Sequence, residues 1–209
     1  MPVLHRVCAA LAVVLVAAAA AAAVPHITND AAPRAGRVVL ELRELWHRGH
    51  DDDDLIFGSI SSVQIGPDGG IYVLDQQLSQ VCVFDDAGEL LRTLSREGEG
   101  PGETRQPEHM VFFADGSLGL VQYINGRIVR IGLDGTPLAM LMPPGSREQG
   151  GGIGSIRRAR SRGGSFVING SRVAPTEDGM VRTQYLVRCD ESGEPLVEYL
   201  SLATASQLM

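Results

Sequence analysis

Residues 62–94 read SVQIGPDGGIYVLDQQLSQVCVFDDAGELLRTL, and this stretch decides the fold class. Four short apolar segments are separated by polar turns, two of which contain Gly69 and Gly88. The segments are too short for helices and are rich in β-branched residues, and the first alternates apolar and polar residues as a half-buried strand does. Glycine supplies the positive φ that tight hairpin turns need. The stretch therefore predicts four antiparallel strands joined by three turns.

The same order of strands and turns recurs along the chain. In a second unit the turns contain Gly116 and Gly135, so the offset from the first unit is 47 residues for both turns. A weaker third unit has its turns at Gly164 and Gly193, with ten extra residues around 173–181. Four antiparallel strands in a period of about 40 to 50 residues are typical of a β-propeller blade.

The repeats predict an all-β fold of four-stranded propeller blades, incomplete or part of a six-bladed ring. The blades are expected at about 58–106, 107–150 and 151–200, within a partial propeller over 38–209. Pro137 and Pro195 both open a predicted fourth strand, the outer edge of a blade, where a missing N–H is tolerated. Val38–Leu42 is predicted as an additional N-terminal strand, and the last strand is expected to end near Leu200.

The N-terminus predicts export. His5 and Arg6 precede the apolar run Val7–Ala23, and Ala21–Ala23 offers a small-residue cleavage site. Residues 1–24 are therefore predicted as a signal peptide, residues 25–37 as a polar linker, and the location as periplasmic or extracellular. An uncleaved N-terminal membrane anchor is the alternative; after cleavage no membrane contact is expected.

The amino-acid composition limits the classes of partner that are expected. The net charge of −7 argues against nucleic acid as a partner. Outside the apolar run the cysteines are Cys82 and Cys189, which lie in predicted strands of different repeats. We expect two buried free thiols rather than a disulfide.

Three motifs resemble the bacterial six-bladed β-propeller proteins related to NHL-repeat proteins. They are the blade centre Asp68–Asp75, the hairpin Val83–Arg92 and the inter-blade loop Arg96–Glu103. The resemblance implies six blades, of which this chain supplies about three. Either the chain is a truncated gene product or two chains assemble one ring. An open half-ring would expose apolar faces and blade edges, which favours self-association.

The inter-blade loop is also the candidate ligand-binding site, because loops carry function on propeller scaffolds. Its charged residues are Arg96, Glu97, Glu99 and Glu103. The alternative is a purely structural crossover, shaped by the glycines and the proline between these glutamates.

Other polar clusters are interpreted as solvated surface. His47, His50 and Asp51–Asp54 could suggest a metal site, but consecutive aspartates diverge and repel, whereas a cation needs converging oxygens. Four arginines between 157 and 162 are expected on an exposed strand face. The sequence predicts no catalytic residue, no metal ligands and no cofactor.

Three functional hypotheses remain open at this stage. The first is an exported, non-enzymatic propeller that binds a protein, peptide or glycan. The second is a metal-dependent propeller lyase or lactonase with a cation in the central channel, for which Asp75 is the one carboxylate at a blade centre. The third is an inactive fragment.

Overall fold

The computed structural model describes residues 28, 30–31, 36–49, 54–142, 153–176 and 179–207. The chain divides into two units, Met1–Arg43 and Glu44–Met209. The predicted signal peptide lies outside the described residues. The predicted strand Val38–Leu42 is wrong: these residues form no strand, because none of the described residues pairs with their backbone. Among the described residues no helix is long and apolar enough to span a bilayer.

The first sheet confirms the four predicted strands. They are β1 (Ile60–Ile65), β2 (Ile71–Asp75), β3 (Gln80–Phe84) and β4 (Leu90–Leu94), each antiparallel to the next. Gly69 and Gly88 adopt φ of 83° and 81° in two of the turns, as the hairpins require.

The second sheet contains three strands. They are β5 (Pro107–Phe112), β6 (Leu118–Gln122) and β7 (Arg127–Ile131), again in consecutive antiparallel order. The predicted fourth strand, Leu138–Leu141, is not a continuous strand: it is reduced to isolated bridges from Pro137 to Ile131 and from Leu141 to Ile128. Pro137 has no N–H to donate, which weakens the ladder where that strand would begin.

The strands of the third sheet are longer than those of the first two sheets. Its strands are β8 (Ile153–Ser161), β9 (Ser165–Thr176), β10 (Gly179–Asp190) and β11 (Pro195–Gln207), each antiparallel to the next. The ten extra residues lengthen the β9–β10 hairpin. Because the longer β10 offers a paired partner as far as Gly179, β11 continues to Gln207. The expectation that the last strand ends near Leu200 is wrong.

Apolar side chains pack between successive sheets. Tyr72 of the first sheet meets Phe112 of the second edge to face, with ring centroids 5.0 Å apart. Phe113 of the second sheet meets Phe166 of the third in the same way, at 5.4 Å. Such aromatic pairs add about 1 kcal/mol each beyond the area that they bury. The described sheets form a partial β-propeller.

The side of the first sheet that faces away from the second is partly covered by residues 44–49 and 54–57. Trp46 and Phe57 pack on Phe84, and the Trp46 indole N–H donates to the Asp86 carbonyl at 3.0 Å. Cys82 lies buried beneath this segment and Cys189 lies buried in the third sheet. Both are free thiols, as expected.

Candidate functional site

The loop between β4 and β5 is held at both ends by its own backbone. The Thr104 N–H donates to the Arg96 carbonyl, and the Gly98 N–H donates to the Thr104 carbonyl, both at 3.0 Å. Thr104 is fully buried. Ser95 and Gln106 flank the loop in left-handed conformations, with φ of 62° and 47°. The loop is therefore a defined structure that the blade packing fixes.

Two of the predicted site residues are used to fold the loop. Arg96 and Glu103 form an ion pair at 2.6 Å. Glu103 also accepts the Gly100 N–H at 2.9 Å. The Gly100 hydrogen bond and then Arg96 lower the pKa of Glu103 below its ordinary value. A Cβ atom at Gly98 would collide with the Glu103 carboxylate, so a larger residue there would displace this carboxylate from its ion pair.

The other two predicted residues face the second blade and an adjacent cleft. Glu99 accepts from Arg127 at 2.8 Å and from Arg105 at 3.2 Å. Arg127 is the main reason that the pKa of Glu99 lies below its ordinary value. Glu97 is exposed and lines the cleft. Of the four predicted residues, Arg96 and Glu103 thus pair within the loop, whereas Glu97 and Glu99 line the cleft, and Glu99 also links the loop to the second blade.

Asp75 closes one corner of the first blade. This fully buried carboxylate accepts the N–H groups of Gly58 at 2.6 Å, Ser59 at 3.1 Å and Leu78 at 3.0 Å. Burial alone raises the pKa of Asp75, but the backbone hydrogen bonds from Leu78, Gly58 and Ser59 outweigh it, and the pKa lies below its ordinary value. Asp75 therefore ties the loop after β2 to the chain entering β1.

Gln122 closes the equivalent corner of the second blade. Its side-chain amide donates to the Arg105 carbonyl at 2.9 Å, and its oxygen accepts from Arg127 at 2.7 Å. It therefore ties the end of β6 to the chain entering β5. An amide here replaces the carboxylate of the first blade and keeps the link between the two chain segments.

A cleft of about 330 Å³ opens at this end of the first two blades. Its lining comes from the inter-blade loop, the start of β5 and the loops after β2 and β6, and consists of Gln76, Glu97, Glu99, Arg105, Gln106, Glu108, Gln122, Tyr123, Ile124 and Asn125. The side chains are amides, carboxylates, one guanidinium, one phenol and one apolar residue, so the cleft offers hydrogen-bond donors and acceptors in close array.

Backbone strain concentrates around the same cleft. Among the described residues, the non-glycine residues with positive φ are Ser79, Ser95, Gln106 and Asn125. Gln106 and Asn125 line the cleft, and the Gln106 N–H donates to the Ser79 hydroxyl at 2.9 Å. The sequence pointed to Glu97 and Glu99 but not to the two amides. Left-handed backbone at Gln106 leaves no signal in the sequence, whereas Asn125 is followed by Gly126, a pair typical of turns that could have marked it.

The other polar clusters named from the sequence form no candidate site among the described residues. His47 Nδ1 lies 3.0 Å from Glu44, and His50 and Asp51–Asp53 fall outside the described residues. Within the described ranges, no three His, Cys, Asp or Glu side chains converge as a metal site. The predicted arginine face is exposed, although the Arg157 guanidinium lies over the Tyr123 ring at 5.2 Å.

Comparison with known proteins supports the fold. The DUF5128 family model, a 6-bladed β-propeller, matches residues 51–140. Those residues contain the first two blades and the candidate cleft. No curated protein matches the sequence.

Solved propeller structures are similar at low sequence identity. One is a protein of Bacteroides fragilis described as exported, with a TM-score of 0.48 and 13% identity over 73% of this chain and 40% of that one. Another is the catalytically inactive H270A virginiamycin B lyase of Staphylococcus aureus with quinupristin, at a TM-score of 0.41 and 14% identity, covering 67% of this chain and 55% of that one. The chain thus spans about half the length of these structures or less.

Proposed function

We propose that this chain is an exported, non-catalytic β-propeller protein that binds a glycan in the cleft between its first two blades. The export follows from the apolar N-terminal run with its small-residue end. The proposal also includes a relation to NHL-repeat proteins, which the three sequence motifs suggest.

The observation that carries the proposal is the pair of left-handed amide residues in the cleft. Gln106 and Asn125 adopt φ of 47° and 70°, and both line it. Such a conformation costs about 1 kcal/mol or more at glutamine and less at asparagine, which adopts it more readily, and it clusters at ligand-binding positions. The lining supports a binding role because the strained backbone sets both amide side chains in the same cleft.

The chemistry of the lining favours a glycan over the peptide and protein alternatives. Carboxylates accept from sugar hydroxyls, and amide side chains both accept and donate. Tyr123 adds an aromatic ring, and Ile124 is 66% exposed beside it. The volume is at the lower end of the range for small-ligand pockets, which fits one or two sugar units.

The lyase or lactonase alternative needs inward carboxylates that are free to bind a cation. Asp75 was the carboxylate at a blade centre, and both of its oxygens accept backbone N–H groups. The structure therefore assigns it a structural task, which favours the binding proposal over the metal-dependent one.

Calorimetric titration tests the proposal with a defined panel of neutral and acidic oligosaccharides and of short basic and neutral peptides. We expect at least one oligosaccharide to bind and Tyr123→Ala to weaken that binding at least tenfold. Tyr199→Ala is the matched control, because Tyr199 is 54% exposed on β11, in the third sheet. Binding of peptides alone, or equal effects of both variants, would contradict the glycan proposal.

Gln106→Gly separates binding from folding. Glycine adopts positive φ without the cost that glutamine has there, so the free energy of unfolding should rise or stay unchanged. Removal of the side chain should nevertheless weaken the oligosaccharide at least several-fold. Lower stability of the variant, or binding equal to that of the parent, would contradict the proposal that strained backbone at Gln106 serves ligand binding.

A further inference from the structure

We propose that the cleft binds a sugar that carries a carboxylate, and that Arg105 and Arg127 hold this carboxylate in the place that Glu99 occupies in the structure. The Glu99 side chain therefore acts as an internal stand-in for the ligand. This inference rests on the proposed glycan function, because it names the class of sugar that the cleft binds and the side chain that moves to admit it.

Two guanidinium groups converge on one carboxylate at the wall of the cleft. Glu99 Oε2 accepts from Arg127 Nη2 at 2.8 Å, and Glu99 Oε1 lies 3.2 Å from Arg105 Nε. Arginine donors match the two oxygens of a carboxylate and form stronger hydrogen bonds to it than neutral donors do. The two arginines therefore form a carboxylate-binding pair, and Arg105 and Glu99 both line the cleft.

A buried glutamine holds both arginines. Gln122 is 4% exposed, and its amide nitrogen donates to the Arg105 carbonyl while its oxygen accepts from Arg127 Nε. The Arg127 side chain is itself only 14% exposed. Because glutamine carries no charge, it fixes Arg127 without neutralising it, and two positive charges face the single carboxylate of Glu99. The pair is thus pre-organised for an anion.

The first blade shows that a blade corner forms without these arginines. The 47-residue offset of the repeats maps Arg105 onto Gly58. It maps Arg127 onto Gln80. In the first blade Asp75 closes the corner by accepting backbone N–H groups, including that of Gly58. Since the repeat does not need an arginine at either position, we attribute the pair in the second blade to binding a ligand.

Glu99 is the exchangeable member of the cluster. Its side chain is 53% exposed on the inter-blade loop. Ion pairs with such exposed groups contribute little to stability, because water competes for the charges. A ligand carboxylate that also brings hydroxyl contacts can therefore take its place. Glu99 borders a second cavity of about 310 Å³, with Leu138 and Met140 among its lining residues, and this cavity gives the displaced side chain space.

The other carboxylates of the cleft determine how the sugar is oriented. Glu97 and Glu108 line the same cleft, where they repel a second anion and accept hydrogen bonds from hydroxyl groups. A sugar with its carboxylate on the arginine pair and its hydroxyls toward these glutamates satisfies both requirements. The lining therefore favours a uronic acid within an otherwise neutral glycan over a polymer that is charged at every unit.

Calorimetric titration of the full chain with matched trisaccharides tests the proposal. The probes are cellotriose and α-1,4-galactotriose, each compared with the form in which C6 of the terminal sugar is oxidised to a carboxylate. We expect the oxidised form of at least one pair to bind about tenfold more tightly than its neutral form. Glu99→Gln should strengthen binding of that acidic trisaccharide several-fold and leave the neutral one unchanged. Glu89→Gln is the matched control, because Glu89 forms an exposed ion pair with Arg48 outside the cleft.

Arg105→Gln distinguishes recognition of the carboxylate from a structural role. The Arg105 side chain is 60% exposed, so the variant should fold, which circular dichroism melts establish. It should weaken the acidic trisaccharide about tenfold and leave the neutral one unchanged. Arg162→Gln makes the same charge change at the exposed turn between β8 and β9 and should bind as the parent does.

The possible outcomes separate this proposal from the glycan proposal. Equal binding of the acidic and neutral forms, equal losses of both in Arg105→Gln, or no gain in Glu99→Gln would overturn the carboxylate proposal and leave the glycan cleft standing. No binding of any of the four trisaccharides would also overturn it, and the wider oligosaccharide panel then decides whether the cleft binds glycans at all.

Discussion

A buried aspartate and a buried glutamine hold equivalent corners of the first two blades. Asp75 accepts three backbone N–H groups, and Gln122 joins the Arg105 carbonyl to the Arg127 side chain. The 47-residue offset of the repeats relates the two positions, but the sequence does not show their partners. The partners of Asp75 lie on either side of it in the chain, and only the closed blade brings them to one carboxylate.

Asp75→Asn tests the corner of the first blade. The asparagine NH₂ group would face backbone N–H groups, so at least one buried donor would lose its acceptor. We expect a loss of about 3 kcal/mol in the free energy of unfolding, measured in urea. Asp134→Asn is the control, because Asp134 bonds to Thr136 in its own exposed turn. Equal effects of the two substitutions would contradict the structural role of Asp75.

His109 is a buried histidine between the second and third sheets. It is 5% exposed and contacts the Arg160 guanidinium. Burial, followed by the charges of Arg160 and Arg158, lowers its pKa to about 4. Because the charged ring is disfavoured in the folded protein, the unfolded chain binds the proton first when the pH falls.

Stability should therefore fall as the pH drops from about 6.5 toward 4. The lowered pKa of His109 corresponds to a loss of about 2 kcal/mol between pH 7.5 and 5. Urea unfolding at the two pH values measures it in the parent and in His109→Gln, which has no titrating ring. The variant should lose less stability than the parent over this range, and an identical loss in both would contradict the assignment.

At the scale of the element, the turns were the most predictable part of the fold. Gly69 and Gly88 marked the hairpins of the first blade, and the strands formed on either side of them. Prediction failed where pairing depends on a distant partner. Val38–Leu42 has strand composition but pairs with nothing in the described part of the chain, and β11 continues past Leu200 because β10 is long enough to receive it.

Alanine substitutions at Gly88 and Gly69 distinguish the effect of backbone strain from that of a steric clash. Both have φ near 80°, but a Cβ atom at Gly88 would lie 2.6 Å from the Trp46 ring, whereas one at Gly69 would meet nothing within 4 Å. Gly69→Ala should cost about 1 kcal/mol for backbone strain alone. Gly88→Ala should cost at least about 1 kcal/mol more, because the indole must also move.

Trp46 fluorescence reports on that contact directly, since the sequence contains one tryptophan. A shift of its emission to longer wavelength is expected in Gly88→Ala and not in Gly69→Ala. Equal stability losses with unchanged emission would show that Trp46 does not pack on the first blade as described.

At the scale of the whole molecule, the chain presents a polar cleft at one end of two blades. The repeats predicted the blades, the DUF5128 match supports a six-bladed architecture, and the inter-blade loop pointed to part of the cleft. The rest of the cleft could not be predicted, because Gln106, Tyr123 and Asn125 converge through blade packing and left-handed backbone.

Hydrogen-exchange mass spectrometry of the chain with and without its strongest-binding oligosaccharide tests the account most directly. We expect added protection in peptides covering residues 97–108 and 122–125, with none in the β10–β11 hairpin. Protection in that hairpin instead, or no change in the cleft peptides under saturating ligand, would contradict the claim that the cleft between the first two blades is the binding site.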